Sequence, residues 1–123
     1  MMVLLLLALI APNLKLTPGV TRPLSKHAIC ATVWGADRRH VSLAMKRQVF
    51  ARYGIPWSRH RAYEVDHLVP RELGGQDSVL NLWPEPWPDA HRKDREENRL
   101  HRAVCAGAIS LDAARAEMRA WGR

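Results

Sequence analysis

Three short segments hold the residues best suited to chemistry. Asp66-His67 lies in YEVDHLVP, Asn81 follows in NLWPEPW, and His91 opens AHRKDREENRLH. An imidazole titrates near neutrality and accepts a proton from water without prior ionisation, so His67 suits the work of a general base. Asp66 offers a hard carboxylate and His91 an imidazole, a pair that can hold one divalent ion and leave positions open for water or an anionic oxygen. Asn81 carries an amide that donates and accepts at once, so it can pin a loop. A solitary Asp-His pair matches by accident and carries little weight; the ordered set carries more.

These residues need a scaffold, and the intervening sequence supplies one. Glu64 to Val69 predicts a strand bounded by Pro70, with Pro70 to Leu80 as a loop in which Gly74 and Gly75 permit positive φ. Asn81-Leu82-Trp83 returns as a brief second strand. Pro84, Pro86 and Pro88 defer helix formation until Asp89, a good N-cap for a helix from Ala90 to Val104 that Gly107 ends. Upstream, His40 to Tyr53 places Val41, Met45 and Val49 one turn apart and predicts a helix closed by Gly54 and Pro56. Downstream, Ser110 caps a packing helix over 110–121 whose face is Leu111, Ala114, Met118 and Trp121. Residues 12–39 read as an irregular basic arm whose Arg and Lys side chains can touch phosphate. The chain is expected to form one α+β domain over residues 1–123.

The stretch YEVDHLVPRELGG…NLWPEPW…AHRKDREENRLHRAVCAG, from Tyr63 to Gly107, resembles the HNH endonuclease (His-Me finger) family, in the variant whose first position is Asp rather than His. The resemblance implies a ββα-metal core over 63–107, a short β-hairpin plus helix, surrounded by additional helices. It implies a metal-dependent endonuclease that hydrolyses phosphodiesters to a 5′-phosphate and a 3′-hydroxyl, with His67 as general base and Asn81 positioning it. Asp66 and His91 become ligands of one divalent ion, Mg²⁺ or Mn²⁺ before Zn²⁺ or Ni²⁺. The interval from Asn81 to His91 is one residue longer than the commonest spacing in the family, which leaves Asp94 as a rival or additional ligand. Arg92, Arg95 and Arg99, with Arg102, spread positive charge along the same helix, where one can hold the scissile phosphate. A catalytically silent nucleic-acid-binding module on the same scaffold is the alternative.

Composition agrees with such a partner. Lys and Arg outnumber Asp and Glu by 19 to 12, a formal charge of +7 that favours a polyanion but does not by itself separate nucleic acid from an anionic membrane; the resemblance implies nucleic acid, DNA before RNA, and no membrane. The apolar run Val3–Ala11 is too short to cross a bilayer and fits either the h-region of a signal peptide or an N-terminal core element. The missing n-region charge and the poor small-residue ending at Leu9-Ile10-Ala11 favour the cytoplasm slightly over export. Cys30 and Cys105 lack CxxC spacing, so they read as a reduced pair or a single disulfide rather than a zinc knuckle. His27, His40, His60 and His101 lack motif context and read as structural or surface histidines. Trp83 and Trp87 read as filling between hairpin and helix, and Glu64 as a salt-bridge partner.

Overall fold

The computed structural model describes residues 11–35 and 39–123, so the apolar run at Val3–Ala11 lies outside it except for Ala11. The architecture is α+β, a two-stranded antiparallel hairpin between helices. Strand β1 (Tyr63–His67) pairs with β2 (Leu82–Pro86), with Tyr63 opposite Pro86 and His67 opposite Leu82. Helices α1 (Lys26–Ala31), α2 (Leu43–Arg52), α3 (Trp87–Cys105) and α4 (Leu111–Arg119) surround it.

Several boundaries differ from the sequence expectation for identifiable reasons. β1 stops at His67 and β2 begins after Asn81, which sits in a 3-10 turn; β2 then continues through Pro84 and Pro86. Prolines are tolerated because a two-stranded sheet has only edges, where a missing N–H forfeits no ladder bond. Helix α3 starts at Trp87, three residues before Ala90. Pro88 falls in its first turn, where the N–H would have no intrahelical acceptor. Asp89 therefore does not cap; it lies inside the first turn, where its charge complements the helix dipole and pairs with Arg92 at 3.3 Å. In α2, the Ser42 hydroxyl accepts from the Met45 N–H at 3.1 Å and fixes the start at Leu43.

The 12–39 arm is more ordered than its composition suggests. Ser25 caps α1 within it, and Cys30 of α1 forms a disulfide with Cys105 at the end of α3, 75 residues away. Further along, the arm hydrogen-bonds to the loop between the strands: Arg22 N–H to Gly74 O at 2.8 Å and Gln76 N–H to Val20 O at 3.0 Å. That loop turns through Gly74 at φ +87°, whereas Gly75 is required for space, because a Cβ there would stand 1.7 Å from the Val69 carbonyl oxygen.

The hairpin is packed on both faces. Phe50 of α2 meets Tyr63 edge-on at 5.9 Å on one side, and α3 packs on the other, where Lys93 reaches Asp66. Beyond the hairpin, Val69 and Leu73 join Leu100 and Val104 of α3 with Ala114 and Met118 of α4 in one buried cluster. This is the packing role expected of the last helix, with Ser110 as its cap.

The disulfide closes a long loop in the unfolded chain, so it stabilises chiefly by restricting that state. Replacing both Cys30 and Cys105 by Ser is expected to reduce the unfolding free energy by about 4 kcal/mol. Urea denaturation would read this directly; an unchanged midpoint would show that the crosslink contributes nothing.

Candidate functional site

His67, at the end of β1, is buried and held from both ring nitrogens. Nε2 lies 2.7 Å from Asp77 Oδ1, and Nδ1 lies 3.2 Å from a terminal nitrogen of Arg39. Arg39 can only donate, so Nδ1 must present its lone pair, and Nε2 then carries the proton given to Asp77. Burial lowers the His67 pKa, against the Asp77 hydrogen bond that raises it; Arg39 lowers it further. The ring is thus a neutral imidazole of defined tautomer. Asp77 is in turn fixed by the His40 N–H at 2.8 Å and by Arg71 at 3.3 Å. Burial would raise its carboxyl, but these partners and His67 hold it below its ordinary value.

The segment after His67 is locked by Asn81. Its Oδ1 accepts from Val69 N–H at 2.9 Å, and its Nδ2 donates to the carbonyls of Val69 and Gln76 at 2.9 and 3.0 Å. The Asn81 backbone oxygen accepts from Leu68 N–H at 2.7 Å. Fully buried, Asn81 closes the loop against the end of β1 and sets the direction in which His67 leaves the strand.

Asp66 faces α3. Its carboxylate lies 2.8 Å from the ammonium of Lys93, which also donates to Glu97 Oε1 at 2.6 Å and to the His67 carbonyl at 2.7 Å. Lys93 is wholly buried; burial alone would lower its pKa, but Asp66 and Glu97 outweigh that and keep it charged. Asp94, on the next position of α3, brings a third carboxylate: ligand atoms of Asp66, Asp94 and Glu97 all lie within 4.8 Å of one another. With all three ionised, one ammonium leaves two negative charges uncompensated in this cluster. Burial pushes Glu97 up to about 8, with Asp66 adding to the rise against Lys93, and burial also raises Asp94. These carboxyls release their protons most readily when a further cation is at hand. All-oxygen donors and a residual double charge fit a hard divalent ion.

Although neighbouring strand residues point to opposite faces, Asp66 and His67 line one cavity of about 280 Å³ together with Asp94 and Glu97. Arg39, Arg71, Glu64 and Glu72 complete its polar wall. Glu64, expected as a salt-bridge partner, forms no ion pair among the described residues; burial, then Asp66 and Asp94, push its carboxyl up to about 7. Behind the cluster, Glu85 is entirely buried. Burial first, then Asp66, drive its pKa up to about 9, so it is a neutral acid at physiological pH.

The expected site residues divide. His67, Asp66 and Asp94 meet in one cavity, with Asn81 directly behind it. His91 does not join them: it is exposed, its ring 5.9 Å from that of Trp87, and it is absent from the carboxylate cluster. Arg92, Arg95 and Arg99 line a separate groove with Trp121, Arg92 pairing with Asp89 and Arg99 with Glu96. Asp77, Lys93 and Glu97 were not singled out in the sequence. For the two on α3, spacing was the available signal, because Ala90, Lys93, Leu100 and Val104 form the buried face of that helix and Glu97, half-buried, lies along it. Among the other histidines, His60 is structural: it stacks on Trp57 at 4.5 Å and its Nδ1 bonds to the Trp57 carbonyl. No protein-family model matches the chain, and comparison with curated proteins and with solved structures finds no match.

The raised carboxyls make stability pH-dependent with a defined sign. Glu85 keeps its proton in the folded chain up to about 9 but loses it near 4.5 when unfolded, so its contribution is complete below 4.5 and is lost as pH rises towards 9. In metal-free buffer, Glu85→Gln is expected to flatten the stability profile over this window by about 1.4 kcal/mol per pH unit. Chemical denaturation across that range measures the slope, and a Gln variant with the parent's slope would refute the assignment.

Proposed function

We propose that the chain is a metal-dependent endonuclease of the His-Me finger type, hydrolysing phosphodiester bonds of nucleic acid. The observation that carries this reading is the neutral His67, its proton given to Asp77, beside the Asp66–Asp94–Glu97 cluster in one cavity. The resemblance over Tyr63 to Gly107 and the hairpin–helix setting support it.

In this reading Asp66, Asp94 and Glu97 hold a divalent ion, Mg²⁺ or Mn²⁺ in preference to softer metals, since no imidazole belongs to the set. When bound, the ion would neutralise charge on the phosphoryl oxygens. Lys93 keeps Asp66 and the His67 carbonyl in place. Arg39 covers Nδ1 in the free protein, and a substrate phosphate is a stronger partner for a guanidinium than a neutral imidazole is. Moving Arg39 onto the phosphate therefore uncovers the lone pair for water. His67 then accepts the water proton at Nδ1, and Asp77 at Nε2 stabilises the imidazolium that results. His91 has no role in this scheme.

The test is cleavage of supercoiled plasmid and of single-stranded circular DNA by purified protein with Mg²⁺, Mn²⁺ or EDTA. Cleavage is expected only with metal, and His67→Ala should reduce it by at least about 100-fold while leaving salt-sensitive DNA binding in place. Retained cleavage in His67→Ala would remove His67 as the base. Binding without cleavage in every ion would favour the silent nucleic-acid-binding module.

A further inference from the structure

A second cavity, about 460 Å³, adjoins the one beside His67 and shares Arg39 and Glu64 with it. Its walls come from α2, the 3-10 turn Trp57–Ala62, β1 and the first residue of α3. Aromatic rings dominate them, with Trp57, Tyr63 and Trp87 in the lining and Lys46 beside Arg39 as the cations. Trp87 was expected to fill a gap between hairpin and helix, as Trp83 does. Trp83 is fully buried, but Trp87 stays 41% exposed although its indole N–H is fixed to the Arg61 carbonyl at 3.0 Å. Trp57 is likewise pre-set, between His60 stacked at 4.5 Å and the Arg47 guanidinium 4.9 Å from its ring.

We propose that this cavity receives an unpaired nucleobase, so that the substrate is a single-stranded stretch of nucleic acid. The inference rests on the nuclease reading above and goes beyond it. Trp87, fixed and partly exposed, offers a π-face on which any base can stack beside the other rings of the wall, and adjacent cations attract the connecting phosphates. Arg39 ties the two cavities together: it lines the aromatic one and touches Nδ1 of His67. A base seated among the rings leaves its own phosphate at Arg39, beside the base and the carboxylate cluster. A duplex cannot do this without extruding a base, because its rings are stacked and paired inside the helix. The chain's charge of +7 supplies the long-range attraction, and the cavity supplies the choice of strand state.

The experiment is fluorescence anisotropy in EDTA, where cleavage cannot interfere, using one labelled oligodeoxynucleotide alone and annealed to its complement. The single strand is expected to bind at least about tenfold tighter than the duplex. Trp87→Ala should weaken single-strand binding by at least about fivefold and leave duplex binding unchanged, while Trp87→Phe retains most of the preference. Equal affinity for both forms, or equal losses in Trp87→Ala, would overturn the proposal. A measurement on the unmutated chain covers the case of a misfolded variant. Photocrosslinking of an iodouracil-bearing single strand should map to peptides containing Trp57, Tyr63 or Trp87, and adducts confined to the Arg92–Arg102 face would count against it. With Mg²⁺, cleavage of the labelled duplex as fast as of the same single strand would leave the nuclease reading standing and remove this one. A Trp87-dependent preference in a chain that never cleaves would do the reverse.

Discussion

The Lys93 ammonium, wholly buried between α3 and β1, is the interaction on which both the site and its scaffold depend. It reaches Asp66, Glu97 and the His67 carbonyl at once, so it joins the helix to the strand that carries the candidate base. A buried charge of this kind gives modest net stability while intact. Removing one member is expensive, about 3–5 kcal/mol, because the remaining charges lose their compensation. Around it the carboxyl groups outnumber the ammonium, and Glu64, Glu85 and Glu97 are all raised by burial. The fold thus tolerates a patch of strained acid chemistry that an apolar core would avoid.

The rest of the structure holds this patch still. Asn81 closes the loop on the end of β1, and Gly75 allows the backbone to approach where no Cβ would fit. The arm from Pro12 onward hydrogen-bonds to that loop from outside, and the Cys30–Cys105 disulfide secures α1 of the arm to α3. A disulfide of this kind persists in an oxidising compartment. Preorganisation comes from backbone clamps and the crosslink, while the reactive side chains are left with few neutral partners.

Much of the scaffold was legible in the sequence because its signals are local. The hairpin with its glycine loop, the long helix after the prolines and the Ser110-capped last helix follow from turn chemistry, caps and periodicity. The start of α3 was displaced because proline reads as a breaker, whereas in a first turn it is neutral. Of the site, Asp66, His67, Asn81 and Asp94 were visible as residue types at suitable spacing. Lys93 and Glu97 were hidden in the charge-rich run HRKDREENR, which resembles a solvated helix face until the opposing carboxylate on β1 is placed. Asp77 had no sequence signal, since an aspartate in a polar loop reaches His67 only through the loop's closure. His91 suits the chemistry by type, but its position on α3 sets its ring near Trp87 and outside the carboxylate cluster.

In the proposed nuclease Asp66, Asp94 and Glu97, with Lys93 among them, would hold a divalent cation beside His67. Calorimetric titration of the metal-free protein with Mn²⁺ at neutral pH, repeated on Asp94→Asn and His91→Ala, tests it most directly. A single class of site is expected, weakened at least about tenfold in Asp94→Asn and unchanged in His91→Ala. Binding that survives Asp94→Asn intact, or that is lost with His91, would contradict it.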